Sequence, residues 1–138
     1  MPTRQHNSKG FTLVELMITI VILGLLMAIS VPMFIDQIRK GRRFDATSTL
    51  LSMEQSQELY RTNHTYYGTK SQVWGTVNGS WQTPDEHYSL DITFPTSNTS
   101  GYLLTATAKG EQANDTGCEK ILVTVTNLTT TRTPEDCW

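Results

Sequence analysis

The 138-residue sequence has two cysteines, three histidines and, from Leu16 to Ile35, no charged side chain at all. Each scarcity excludes something. His6, His64 and His87 stand at no metal-ligand spacing from one another or from Cys118 and Cys137, so no metal centre is expected. His87 follows Asp85 and Glu86, and this reads as a solvated loop. No nucleophile motif, glycine-rich phosphate loop or calcium loop is present, which leaves an enzymatic reading and a cofactor without residues to carry them. A hydrophobic content of 38% is too low for a polytopic membrane protein, and the length allows one globular domain beside one apolar segment. Basic residues are scarce in the second half. After Arg61 there are four, Lys70, Lys109, Lys120 and Arg132, against eight acids, a net charge of −4. Nucleic-acid binding draws on a basic patch, so this balance argues against a nucleic-acid partner.

What is present is the run KGFTLVELMITIVILGLLMAISVP at 9–32, with one carboxylate, Glu15, near its start. The 20 uncharged residues from Leu16 to Ile35 form a helix of about 30 Å, enough to cross a hydrocarbon core. A cleaved secretory signal has a shorter apolar region and a small-residue cleavage site, and neither fits. A plain signal anchor accounts for the length but not for Glu15, because a carboxylate facing lipid is costly. From the residues alone, two readings of Glu15 stand: it reaches back to the interface from the helix start, or it serves a function inside the apolar layer.

Lys9-Gly10, then Phe11-Thr12-Leu13-Val14-Glu15, then an uncharged run interrupted by Gly24 and Pro32, resembles the class III signal of type IV prepilins and related pseudopilins. The resemblance implies that a prepilin peptidase cuts between Gly10 and Phe11 and methylates the new Phe11 N-terminus. The leader 1–10 would then be lost. It implies that Glu15 pairs with the terminal ammonium of Phe11 on an adjacent subunit, a role that would neutralise an otherwise expensive buried charge. It makes Gly24 to Pro32 the segment expected to melt in a fibre, a simple kink at Pro32 being the alternative. It places the precursor in the inner membrane as a single pass, N-terminus in the cytoplasm and head in the periplasm, with an extracellular pilus as destination. Counting Lys and Arg near the span, two before it and four after, would have given the opposite orientation. The partners implied are other pilin subunits, the peptidase and the inner-membrane assembly machinery.

Past the apolar run, Ile35, Ile38, Ala46, Leu50, Met53 and Tyr60 recur mostly at steps of three and four, so the helix is expected to continue to about Arg61 with that face towards a core. Composition then turns to Thr, Asn, Ser, Gly and Tyr. Asn78-Gly79, flanked by Trp74, Val77 and Trp81, is a short hairpin signal. Tyr88, Leu90, Ile92 and Phe94 alternate as one face of a strand. Pro95 to Gly101 reads as a turn, Tyr102 to Ala108 as a strand, Gly110 to Gly117 as a loop and Ile121 to Thr126 as a third strand. Asn63, Asn78, Asn98, Asn114 and Asn127 each begin an N-x-[ST] pattern, which a Thr/Ser/Asn-rich composition produces by chance.

In an extracytoplasmic head, Cys118 and Cys137 are expected to form a disulfide. The segment they bound resembles the pilin D-region, and the Cys137-Trp138 ending is similar to that of some PilE- and ComP-type minor pilins. The expected fold is α+β, the type IV pilin fold: a long N-terminal helix, its first half in the membrane, packed on an antiparallel sheet. The expected organisation is a leader at 1–10, a membrane and assembly helix at 11–35, its amphipathic continuation at 36–61, an αβ-loop at 62–86, and a sheet with its disulfide-bounded loop at 87–138. A minor pilin is the leading functional expectation. A major pilin, a DNA-receptor pilin of a competence pilus and a type II secretion pseudopilin are the alternatives.

Overall fold

The computed structural model describes residues 10–74 and 81–138. The leader before Gly10 and the Asn78-Gly79 hairpin lie outside the described residues. By contacts the chain divides into two units, Met1–Gln37 and Ile38–Trp138.

Helix α1 spans Leu13–Arg61, and its assignment is unbroken through Gly24 and Pro32. In the first unit every described residue is exposed, with Leu13, Leu25, Ile29 and Phe34 each more than 60% accessible.

In the second unit, Ala46, Thr47, Leu50, Met53 and Gln57 of α1 are buried. They meet a four-stranded sheet: β1 Tyr88–Thr93, β2 Gly101–Ala108, β3 Lys120–Thr126 and β4 Thr129–Thr133, antiparallel in the order β1-β2-β3-β4. Alternation decides which face turns inward. Tyr88, Leu90 and Ile92 of β1, Tyr102, Leu104 and Ala106 of β2, and Ile121, Val123 and Val125 of β3 form the core with Ala46, Leu50 and Met53. The register aligns these rows across the sheet, Leu90 opposite Ala106 and Ala106 opposite Ile121.

Several expectations need correction. Ile35 and Ile38 are 42% and 38% exposed, so the buried stripe begins only at Ala46, where sheet residues stand opposite to receive it. A glutamine, Gln57, holds the buried place further on. Its side-chain amide donates to the Gly68 carbonyl (2.6 Å) and accepts from the Gly68 N–H (2.9 Å), so the chain leaving α1 is fixed by a hydrogen-bond pair that apolar periodicity cannot signal. A Cβ at Gly68 would collide with Val73 and crowd the Tyr60 ring. Phe94 falls just past the end of β1, where it packs half-buried against the core. The αβ-loop contains a short helix, α2 Lys70–Val73, and Gly110–Asn114 is a 3-10 turn. His87 is half-buried rather than solvated, and its carbonyl accepts the Lys109 N–H at 2.8 Å.

The largest miss is β4. The sequence TTTRT shows no alternation of apolar and polar residues, because β4 is an edge strand whose side chains stay mostly exposed. Asn127 and Leu128, with φ of 50° and 68°, form the two-residue turn between β3 and β4. On β4, Arg132 pairs with Glu54 of α1 at 2.8 Å, and the Thr130 hydroxyl donates to the same carboxylate at 3.2 Å.

Tyr67, Tyr88 and Tyr102 are fully buried, and burial raises the ionisation of each phenol above its ordinary range. A raised folded pKa means that ionisation favours unfolding. Stability held at neutral pH is therefore lost as pH climbs from about 10, where unfolded tyrosines ionise, towards the higher folded values. Tyrosine absorbance of the detergent-solubilised chain is expected to show alkaline ionisation coincident with loss of near-ultraviolet circular dichroism. Full ionisation near pH 10 with the fold retained would contradict this burial.

Candidate functional site

At the N-terminal end, Gly10 and Phe11 precede α1, and Phe11 is 82% exposed. Thr12 starts the helix: its hydroxyl oxygen accepts the Glu15 N–H at 3.2 Å. Thr12-x-x-Glu15 is thus the sequence of a capping box opening an apolar run, a signal that reading Glu15 as an isolated acid overlooks. The carboxylate also stands in the first turn, where the helix dipole favours negative charge. A local role in starting the helix is therefore compatible with a further role towards a neighbour. The Thr19 hydroxyl donates back to the Glu15 and Leu16 carbonyls, which satisfies a polar group inside the apolar run. A Cβ at Gly24 would meet nothing, so that position leaves open space on the helix surface.

In the head, the C-terminal segment is tied down twice. Cys118 and Cys137 form a disulfide with Cα atoms 5.7 Å apart, bounding the β3–β4 hairpin. Beside it, Arg43 of α1 makes a two-pronged ion pair with Asp115, both N–O distances 2.6 Å. Asp115 is 3% exposed, and Arg43 also donates to the Asp136 carbonyl at 3.4 Å. The fully buried Gln112 side chain lies within 2.9 Å of both the Tyr88 hydroxyl and Asp115, and 3.3 Å from the Arg39 carbonyl. Helix, 3-10 turn and C-terminal loop thereby share one buried polar cluster. Sequence reasoning missed it, since Arg43 and Asp115 are 72 residues apart and neither has a local signature.

Next to this cluster Lys40, Phe44, Thr47, Cys137 and Trp138 line a groove of about 310 Å³. At the other end of the head portion of α1, Leu59, Tyr60, His64 and Val73 line a second groove of about 280 Å³, with the Tyr60 and His64 rings stacked at 3.9 Å. Among the described residues no group of three or more His, Cys, Asp or Glu could hold a metal ion.

A long apolar helix leading into a four-stranded antiparallel sheet defines the class as type IV pilin-like. Residues 32–122 match the family described as type IV minor pilin ComP, DNA uptake sequence receptor, and residues 5–31 match the prokaryotic N-terminal methylation motif. The chain belongs to the ComP type IV minor pilin family. It is 32% identical over 82 residues to the type II secretion system core protein G of Dickeya chrysanthemi, covering 59% of this chain and 54% of that protein. To the type IV narrow pilus major component PilA5 of Thermus thermophilus it is 33% identical over 85 residues, 57% of this chain and 73% of the relative. To core protein G of Escherichia coli it is 33% identical over 66 residues, 48% and 46% of the two chains. The chain spans about half the length of the secretion-system relatives it matches.

Removing one member of a buried ion pair leaves the other charged and unpaired, which costs about 3–5 kcal/mol, whereas replacing both with apolar groups is far milder. Arg43→Met is accordingly expected to destabilise the head by about that amount, and R43M/D115L to recover most of it. Denaturant melts of the membrane-extracted chain decide. Equal losses in the single and double variants would show that the pair is not what holds the cluster.

Proposed function

We propose that this chain is a structural subunit of a type IV pilus, a minor pilin incorporated into or priming the fibre, and not an enzyme. One observation carries the reading: an uncharged stretch of α1, Leu16 to Ile35, long enough to cross a membrane and exposed throughout among the described residues, with Glu15 just before it in the first turn of the helix. Membership of a minor-pilin family and the match to a methylation motif support it. In this reading the prepilin peptidase cuts between Gly10 and Phe11 and methylates Phe11. The subunit waits in the inner membrane with its head in the periplasm, and assembly machinery then moves it into an extracellular fibre. There the Glu15 carboxylate meets the Phe11 ammonium of a neighbour. A charge in an apolar layer is tolerable only with such a partner, so the pair fixes register between subunits. Gly24 and Pro32 are the positions at which α1 would loosen during packing, since glycine weakens a helix and proline removes one hydrogen bond. The chain would support adhesion, twitching motility or DNA uptake.

The test is Glu15→Gln in the full chain. It is expected to insert and fold normally but to be depleted from sheared fibres relative to membranes, with a methylated Phe11 start shown by mass spectrometry in the same strain. A wild-type fibre-to-membrane ratio would remove the pairing role, and a retained Met1 in fibres would remove the processing role. Dominance of the fibre mass by this chain would make it a major pilin.

A second reading, a receptor for DNA, is favoured by the matched family's description. The head offers one corner of suitable chemistry: the Lys70 ammonium lies 4.9 Å from the centre of the Trp81 ring, and Trp74 packs edge-on against Trp81 at 5.9 Å. Its net charge opposes the reading. Equilibrium binding to duplex DNA across a salt series separates the two. A receptor binds selectively at about 0.15 M salt, with a slope reporting the phosphates contacted, whereas a purely structural head loses weak binding by that point.

A further inference from the structure

The groove of about 280 Å³ at the end of α1 has polar walls in which each side chain is fixed by one atom and leaves another unengaged. Gln72 is held by its Oε1, which accepts the Thr69 N–H and the Thr69 hydroxyl, both at 2.8 Å, so its amide NH2 group is the one on offer. Asn63 is held the other way round. Its amide nitrogen donates to the Thr62 hydroxyl oxygen at 3.2 Å, and that hydroxyl donates its own proton to the Leu59 carbonyl at 2.7 Å. The Asn63 carbonyl oxygen is therefore what it presents. The His64 ring stacks on Tyr60 with 3° between the planes, and its Nδ1 lies 2.9 Å from the Tyr60 carbonyl. A carbonyl only accepts, so Nδ1 carries the proton there and Nε2 of the neutral ring is an acceptor. Ser56 donates its proton to the Ser52 carbonyl at 2.8 Å and keeps its lone pairs. One double donor and three acceptors thus line a single groove.

The remaining walls are apolar: Leu59, 69% exposed, the Tyr60 ring and Val73. Gly68 lets Tyr60 and Val73 stand together, since a Cβ there would press on the Tyr60 ring at 3.0 Å and collide with Val73, and Gly68 is itself fixed by the buried Gln57. No Asp, Glu, Lys or Arg lines the groove. The neighbouring charges are held elsewhere or face away. Arg61 lies over the Tyr67 ring and donates to the Thr99 carbonyl, Lys70 pairs with Asp91 at 3.2 Å, and Glu58 stands about 160° round the helix from Ser56. The geometry points to a binding site for a neutral sugar ring, one pyranose residue of a glycan. A pyranose carries hydroxyls that both donate and accept around its edge, which suit Gln72 on one side and Asn63, His64 and Ser56 on the other. Its C–H face is apolar and lies against Leu59, Tyr60 and Val73. Because the polar groups are already oriented, little side-chain freedom is lost on binding. The volume stands at the low end for small-molecule sites, which suits one ring. A nucleotide or a phospholipid headgroup would leave its phosphate without a cation in this groove. An extended peptide would need a sheet edge or a longer groove. Use of the site for adhesion rests on the pilus-subunit reading, whereas sugar binding by the chain does not.

The experiment uses the full chain in a zwitterionic detergent that contains no sugar, with methyl glycosides of glucose, galactose, mannose, N-acetylglucosamine and N-acetylgalactosamine as probes. Saturation-transfer NMR is expected to show at least one of them bound through its ring protons, saturably at about 1–10 mM, the range of a one-ring contact. Added salt should not weaken it, because no ion pair is involved. In a heavy-nitrogen-labelled chain the side-chain amides of Gln72 and Asn63 should shift with the same concentration dependence. Asn63→Ala is expected to weaken binding about fivefold, the loss of one hydrogen bond. His64→Ala should remove it, and so should Leu59→Asp, which keeps every polar group and places a charge on the apolar wall. All three positions are exposed, so near-ultraviolet circular dichroism should stay that of the wild type. If His64→Ala alters the spectrum, Leu59→Asp decides. No saturable transfer from any probe up to about 50 mM, well beyond the expected range, overturns the site. Sugar binding that survives all three substitutions overturns it as well, and so do amide shifts produced by an oligonucleotide and by none of the sugars. Depletion of the chain from fibres with sugar binding intact refutes the pilus-subunit reading and leaves the site standing; a chain present in fibres that binds no sugar does the reverse.

Discussion

Apolar side chains from Leu16 to Ile35, all exposed among the described residues, are the constraint on which everything else rests. Water penalises such a surface in proportion to its area, so the segment must be surrounded by lipid or by other helices. That demand explains the composition of the rest. The segment carries no charge that would oppose entry into the apolar layer, its threonine hydroxyl bonds to its own backbone, and the acid just before it, Glu15, sits where a helix start tolerates it. The same demand makes association with like helices a natural end state, because every copy presents the same uncovered surface.

The head must therefore be stable without help from that segment, and it is small. Its core is one layer of helix against one sheet face, with Leu50 and Met53 meeting rows led by Tyr88, Tyr102 and Ile121. Burial of this size leaves a narrow margin, and cross-links compensate. The disulfide restricts the unfolded chain around the β3–β4 hairpin, the Arg43–Asp115 pair fixes the 3-10 turn to α1, and Gln57 fixes the segment after the helix. Polar residues thus do at the edges of the head what apolar ones do at its centre. The consequence for function is that the C-terminal loop, with Trp138 at its end, is held against α1 as a defined wall of a groove.

Much of this was legible from residue order. An uncharged run of membrane length, a change to period-two alternation at Tyr88, Leu90 and Ile92, and cysteines bounding the last segment are local patterns, and local patterns specify elements directly. The motif around Gly10 and Phe11 identified the family for the same reason: its information is contiguous.

What the order of residues could not determine was which side chains meet. Ile35 and Ile38 fit the apolar period as well as Leu50 does, yet only residues with sheet opposite them are buried. β4 forms because β3 offers an edge and Glu54 offers an acceptor to Arg132 and Thr130, and no pattern within TTTRT announces either. Arg43 and Asp115, Gln57 and Gly68, and the groove at Lys40 depend on segments brought together by folding across long stretches of chain. Periodicity reports the face a residue occupies on its own helix or strand, and that much the sequence determined by itself. Burial, ion pairing and the shape of a surface are properties of two segments at once, so only the tertiary structure decided them.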